Sequence, residues 1–388
     1  MIFEYPKLEA QDQQVLELIR ELRRELRHQV NTNPVRWTGF LRRNTFARAL
    51  QGSNSIEGIN ANLAEAVAIV DEEKPETLEE EAEKALTCYR TAMTYVLRLH
   101  DDPHALINAQ LIRSLHFMML NYDMTMLPGQ WRPGPIRVVR EPSNVTVYEG
   151  PPAKEIPGLI EELVSQIHTD DKVESSTVLA AMAHLNLAMI HPFRDGNGRM
   201  ARALQTLVLT RNDIVSPVFC SIEEWLGSNT EYYYDILGEV GRGKWSPQRS
   251  ALPWVRFCLI AHYQQAATIM KRNIVIGRMW AEMEKLRKEH GLPERTEVVM
   301  MDAAFNYQVK NFRYRQENEI SDVVASRDLK RMCDIGLLMP VGEKRGRHYE
   351  AAEPLKAIRE QYADKTRAPN PYDLVKGKQR DAQLSLAV

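Results

Sequence analysis

His191-Pro192-Phe193-Arg194-Asp195-Gly196-Asn197-Gly198-Arg199-Met200, followed by Arg202, sets the reading of the whole chain. An apolar, helix-like run from Ser175 to Ile190 precedes it, and Met200 to Thr210 again reads as helix. The connection between them gathers residue types suited to a polyphosphate. Gly196 and Gly198 allow positive φ and close approach of backbone to a ligand. Their N–H groups, with those opening the next helix, make a concavity for anions. Asp195 is a hard oxygen ligand suited to one position around Mg²⁺. Arg199 and Arg202 lie three apart and share the mouth of the loop. His191 is the one residue of the stretch able to take a proton near neutral pH.

Outward from this loop, the chain of 388 residues is long enough for two or three units. Hydrophobic residues make up 44%, ample for packed cores, and the net charge of −2 argues against a protein that coats nucleic acid or membranes. The four cysteines, Cys88, Cys220, Cys258 and Cys333, are scattered and form no Cys-x-x-Cys pair, which fits thiols in a reducing compartment. The first residues show no basic region followed by a long apolar one. The most apolar helix, Thr177 to Ile190, is too short to span a bilayer. A soluble, cytoplasmic protein without membrane contact is expected.

Upstream, Glu9 to Val30 has the spacing of an amphipathic helix, a break follows at Asn31 to Pro34, and helix resumes from Leu41. It leads to Ser53-Asn54-Ser55-Ile56-Glu57-Gly58, where Ser53 and Glu57 would share a helix face and Gly58 would end the helix. An acid-rich stretch, Asp71 to Lys84, opens a further helix, and Asp101-Asp102-Pro103 marks a border. Two β-branched runs, Ile136 to Val139 and Asn144 to Tyr148, flank Glu141-Pro142-Ser143 and read as a hairpin. Ile156 to His168 is helical, and His184 reads as a satisfied core histidine on the helix before the loop. Asn229 to Val240 and Leu252 to Glu289 are also helical. From Glu294, a helix at Ser321 to Gly336 precedes a small strand pair at Leu337 to Val341 and Arg347 to Glu350.

The central stretch matches, at every fixed position from His191 to Arg202, the signature of the Fic family, His-x-Phe-x-(Asp/Glu)-Gly-Asn-Gly-Arg-x-x-Arg. Gly198 stands at the second glycine, where the kinase-like relatives of the family carry lysine. The hexapeptide at 53–58 resembles the family's inhibitory motif, (Ser/Thr)-x-x-x-Glu-(Gly/Asn). The resemblance implies an all-α fold: a helical Fic core with a β-hairpin flap, an N-terminal inhibitory helical unit and a C-terminal winged helix-turn-helix. It places an N-terminal domain at 1–103, the Fic domain at 104–290 and the winged-helix-like domain with its tail at 291–388.

The activity implied is transfer of AMP from ATP, with Mg²⁺, to a Ser, Thr or Tyr hydroxyl of a target protein and of the chain itself. By that resemblance His191 is the base and Asp195 the metal ligand. Phe193, Arg194, Gly196, Asn197, Gly198, Arg199 and Arg202 shape or bind the phosphate site, and Asn229, Tyr233 and Tyr234 line the nucleoside pocket. Ser53, Glu57 and Gly58 regulate, Glu57 competing with ATP for Arg202. The hairpin at 136–148 holds the target by strand addition. The C-terminal module serves target or homodimer contacts, or touches DNA through Arg327, Lys330, Arg345 and Arg347. The alternatives are another nucleotide donor, removal of AMP, or a transcription regulator whose Fic core senses nucleotide.

Overall fold

A computed structural model describes residues 1–75, 77–102, 104–140, 145–168, 175–211, 217–343, 346–364 and 366–377. The hairpin turn expected at Glu141-Pro142-Ser143, the border at Pro103 and the basic residue Arg345 lie outside the described residues. Helices α1 (Ala10–Thr32), α2 (Val35–Ile56), α3 (Leu63–Val70), α4 (Glu80–Arg98) and α5 (Ala109–Leu120) come first. Strands β1 (Arg137–Arg140) and β2 (Val145–Glu149) follow, then α6 (Ile156–His168), α7 (Ser176–Ile190), α8 (Asn197–Thr210), α9 (Glu223–Ser228) and α10 (Thr230–Gly241). Next are β3 (Gly243–Lys244), α11 (Leu252–Glu289), α12 (Thr296–Ala304), α13 (Asn311–Glu317) and α14 (Asp322–Asp334). Strands β4 (Leu338–Val341) and β5 (His348–Ala351) and helix α15 (Glu353–Gln361) complete the order. The fold is predominantly helical, as expected.

Packing groups these elements into two compact units. One comprises residues 1–29 and 44–268 with the described residues from Ala368 on; the other comprises 30–43 and 269–367. In the first, α7 is the axis. Thirteen of its fifteen residues are buried, so it is covered all round. Its three buried polar residues, Thr177, His184 and Asn186, are all occupied, Thr177 Oγ1 by Arg23 at 3.1 Å. Asn186 accepts from Phe3 N at 2.8 Å and donates to Phe3 O at 3.1 Å, tying the chain's start to α7. His184 is the satisfied core histidine expected. Trp254 of α11 donates to Ala181 O at 2.7 Å and packs with Leu16, Ile19, Met182, Leu185 and Phe257.

The hairpin forms with β1 and β2 antiparallel, and it is not isolated: β3 pairs in parallel with β2, so β2 lies central and β1 at an edge. Nothing in the two residues of β3 announces a strand; they pair because Trp245 N donates to Glu149 O at 2.9 Å just beyond. The second unit contains the expected helix as α14 and the expected strand pair as β4 with β5. Lys330 on α14 is paired with Asp334 at 2.7 Å.

Within the first unit the end of α2 crosses α9 at bare backbone. A Cβ on Gly52 would stand 2.4 Å from Glu223 O, and one on Gly227 2.6 Å from Gly52 Cα. Neither neighbour is a flexible side chain, so the helices must part to admit a methyl group. Gly52→Ala is expected to destabilise the protein by about 1–3 kcal/mol. Thermal unfolding checks this, and an unchanged melting temperature would contradict the close crossing.

Candidate active site

Two left-handed residues shape the loop between α7 and α8. His191, with φ 50°, ends α7 by donating its N–H to Leu187 O at 3.0 Å. Such a conformation is costly for a residue with a Cβ and persists only where its surroundings enforce it. Gly196, with φ 71°, is the cap before α8, and a Cβ there would lie 2.5 Å from Leu120 Cδ1. Gly198 departs from expectation. It sits inside α8, which begins at Asn197, and has no positive φ. Its bareness spares space instead: a Cβ would meet Glu57 Oε1 at 2.5 Å and Arg202 Nη1 at 3.0 Å.

The loop is braced from behind. Asn197 accepts from Phe193 N at 2.8 Å and donates to Phe193 O at 3.0 Å, so both ends of its amide are used within the loop. Phe193 is fully buried and stacks on His116 at 3.6 Å between centroids, with Trp131 at 4.9 Å. These two residues therefore stand under the cradle, their side chains turned from its mouth. His116 Nδ1 accepts from Gly129 N at 2.9 Å, which leaves Nε2–H to donate to Asp195 O at 2.9 Å. Burial pushes its pKa down to about 4, so the neutral form required by those two bonds is the one present. Arg132 donates to His191 O at 2.8 Å, to Pro151 O at 2.6 Å and to Gly134 O. Sequence reasoning missed His116 and Arg132, whose loop partners lie 79 and 59 residues away.

The charges converge in front of this brace. His191 Nδ1 is 3.1 Å from Ala188 O; a carbonyl only accepts, so Nδ1 carries the proton and Nε2 keeps its lone pair. Burial lowers the imidazole's pKa below 6.5 against the opposing pull of Ala188 O, Glu57 and Asp195, with Arg132 acting in the same sense as burial. Arg199 is 2% exposed and reaches Asp195 Oδ2 at 3.5 Å, while its Nε and Nη1 have no partner. Arg202 is 1% exposed; it donates to Ser53 Oγ at 2.8 Å, Ser53 O at 2.9 Å and Glu57 Oε1 at 2.6 Å, and its Nη1 is unfilled. Burial alone would raise the Glu57 carboxyl's pKa, but Arg202 and Arg199 outweigh it and hold Glu57 ionised. Unpartnered N–H groups on two buried cations suit an anion with several oxygens.

Ser53 and Glu57 thus reach Arg202 from the end of α2, and Gly58, with φ 79°, ends that helix as expected. A relay behind them escaped sequence reasoning. Ser53 Oγ–H donates to Tyr89 Oη at 2.9 Å, and Tyr89 donates to Glu223, which also accepts from Ser221 at 3.1 Å. Of the nucleoside residues expected, Tyr234 donates to Ile56 O at 3.0 Å and Tyr233 contacts His184. Asn229 spends its amide on Trp225 O at 2.8 Å, and exposed Arg194 reaches Thr125 O at 3.2 Å. Among the described residues no group of three His, Cys, Asp or Glu could hold a metal unaided. The half-exposed Asp195 carboxylate fits a divalent cation whose other ligands are phosphate oxygens and water.

The sequence model of the Fic/DOC family matches residues 106–209. The protein adenylyltransferase fic-1 of Caenorhabditis elegans is 26% identical over 242 residues, 60% of this chain and 43% of that protein. A probable protein adenylyltransferase of Aquifex aeolicus is 30% identical over 87 residues, 22% of this chain and 26% of that one. The chain therefore spans less than half the length of these curated relatives. Among solved structures, a Fic family protein from Desulfovibrio desulfuricans superposes with a TM-score of 0.58 at 19% identity, over 90% of this chain and 98% of that one. Residues 134–508 of Caenorhabditis elegans Fic-1 give 0.54 at 22% identity, over 70% and 73%. These likenesses establish the fold.

The Glu57–Arg202 pair has a titration signature. A carboxyl whose folded pKa is depressed adds stability above its unfolded value, near 4.5, and loses that contribution as pH falls through the folded one. Glu57→Gln is expected to cost about 1–3 kcal/mol at neutral pH. The difference in melting temperature from wild type should close as pH drops below about 4.5. A gap that stays constant down to pH 3 would show that the ion pair carries none of it.

Proposed function

We propose that this chain, which carries a Fic domain at residues 106–209, transfers AMP from ATP to a hydroxyl of a target protein and releases pyrophosphate. The observation that carries the reading is the lone pair on His191 Nε2 beside a cradle whose two buried arginines hold unfilled N–H groups. In this reading Nε2 takes the proton of the target's hydroxyl, and the oxygen attacks the α-phosphorus. The bond from that phosphorus to the bridging oxygen of the β-phosphate breaks, and pyrophosphate carries the electrons away. Arg199, which among the described residues has no carboxylate nearer than 3.5 Å, neutralises the leaving group. The N–H groups that open α8 bind phosphate oxygens. A Mg²⁺ bound at Asp195 would supply charge to the phosphates. Tyr233 and Tyr234 form the wall of the nucleoside pocket.

Glu57 regulates by occupying the guanidinium that the γ-phosphate needs. About 1.4 kcal/mol of preference for the carboxylate diminishes productive binding tenfold. The segments 1–103, 104–290 and 291–388 act in this proposal as inhibitory unit, catalytic core and accessory module, and the β1 edge of the hairpin takes the target's extended backbone. No helix among the described residues is long and apolar enough to cross a membrane.

Incubation with ATP labelled at the α-phosphate tests the reaction. Glu57→Gly should raise incorporation into the chain itself by tenfold or more. Adding His191→Ala should abolish it, and CTP, GTP and UTP tested in parallel identify the donor. A double variant as active as Glu57→Gly alone would refute the role of His191. The pH profile carries a sign: the neutral imidazole is the active form, and its pKa lies below 6.5. The rate for Glu57→Gly should therefore be level through pH 7–8 and fall only on acidification below 6.5. A limb centred above pH 7 would point to another base.

A further inference from the structure

Arg202 presents two edges to its surroundings, and different residues hold them. Along the side edge, Nε donates to Ser53 Oγ at 2.8 Å and Nη2 to Ser53 O at 2.9 Å, so one serine takes both hydrogens of that fork. On the end edge, Nη2 also donates to Glu57 Oε1 at 2.6 Å, and Nη1 has no partner. A Cβ on Gly198 would stand 3.0 Å from Arg202 Nη1 and 2.5 Å from Glu57 Oε1, which places the end edge beside the opening of α8.

The grip on the side edge has a support of its own. A guanidinium only donates, so Ser53 Oγ accepts from Arg202 and turns its own hydrogen to Tyr89 Oη at 2.9 Å. Tyr89, on α4, passes its hydrogen to Glu223, the first residue of α9, whose other oxygen accepts from Ser221 at 3.1 Å. Ser53, Tyr89 and Glu223 are at most 1% exposed. Burial and the neighbouring Glu223 hold the Tyr89 pKa well above 10, so the phenol keeps the proton it donates. Burial also raises the Glu223 carboxyl above 4.5, and Tyr89, Arg202 and Ser221 draw it back. The backbone around Ser53 is fixed as well: α2 crosses Glu223 O at Gly52, and Tyr234 donates to Ile56 O at 3.0 Å. None of these bonds uses the Glu57 carboxylate, whose side chain is 23% exposed.

We propose that Tyr89 and Glu223 are positioning residues for Arg202: acting through Ser53, they fix its side edge, so the end edge stays presented beside Gly198 whether Glu57 or a ligand anion occupies it. The end of α2 then serves ligand binding as well as inhibition. Release from inhibition needs the Glu57 side chain to turn while the helix stays. The inference rests on the nucleotide reading above for the identity of that anion, the γ-phosphate of ATP.

Calorimetry gives the first test. The full chain carrying Glu57→Gly and His191→Ala has a free end edge and no turnover, and it is titrated with ATP or ADP in the presence of Mg²⁺. Glu223→Gln sets an amide nitrogen against one of two donors, and Tyr89→Phe removes the phenol. Each should raise the Kd for ATP by about 3- to 10-fold and leave that for ADP, which lacks the γ-phosphate, unchanged. Ser53→Ala should do the same, and adding Tyr89→Phe to it should change nothing further. Equal losses for ATP and ADP, or effects that multiply, overturn the proposal. With Glu57 retained, Tyr89→Phe should not raise AMP incorporation; a rise would mean that the series only pins an inhibitory helix. A second test needs no nucleotide. In the full chain with ¹⁵N-labelled arginine, the Nε–H signal of Arg202 is identified by its loss in Arg202→Lys. It should stay slow to exchange with solvent in Glu57→Gly, exchange fast in Ser53→Ala and shift in Glu223→Gln. Fast exchange in Glu57→Gly, or an unmoved signal in Glu223→Gln, overturns the proposal whatever the nucleotide data. Should Tyr89→Phe fail to fold, Glu223→Gln carries both tests. If neither nucleotide binds while the signal stays protected, the nucleotide reading fails and the hold on Arg202 stands.

Discussion

A permanently charged guanidinium, that of Arg202, lies 1% exposed at the first turns of α8. Taking such a charge out of water costs several kcal/mol unless partners replace the water. α8 itself offers none on that side, so the partners come from 145 to 149 residues away: the Ser53 hydroxyl, the Ser53 carbonyl and the Glu57 carboxylate. The end of α2 is therefore fastened to α8 by electrostatic need, and its own position is set by Tyr89, Glu223 and the Gly52–Gly227 crossing. One unpartnered nitrogen on Arg202, Nη1, and two on Arg199, Nε and Nη1, remain, so the arrangement satisfies part of the buried charge and keeps a demand for more oxygens.

The loop meets that demand by being rigid. Left-handed His191 and Gly196 turn the chain twice within six residues, and each turn is enforced from outside: by Arg132 on the His191 carbonyl, by Leu120 against Gly196 and by His116 under Phe193. Catalytic geometry on a loop survives only where neighbouring shells lock it. Here two buried groups that touch no ligand, His116 and Arg132, do the locking.

Much of this was legible. The helices before and after the loop, α6, α11, α14, the hairpin and the β4–β5 pair follow from apolar spacing and turn residues that act over a few positions. Ser53 and Glu57 lie one turn apart, but it was the resemblance of 53–58 to the family's inhibitory motif that marked them out. The supports were not legible, since Tyr89, His116, Arg132 and Glu223 have no local pattern and acquire meaning only by contact across the fold. Gly198 was misjudged for a related reason: a glycine that spares space for Glu57 Oε1 looks in sequence like one that supplies a turn. α7, buried all round, has no polar face to set its period, and β3 is too short to show a pattern.

Arg132 has one more consequence. Its guanidinium holds Gly134 O before the hairpin, Pro151 O after it and His191 O, while Tyr148 of β2 donates to Met189 O at 2.6 Å. Both feet of the hairpin and the backbone of the imidazole residue are thereby riveted to one planar group. A tug on the ribbon is carried to His191 through a stiff strut, with no slack segment between to absorb it.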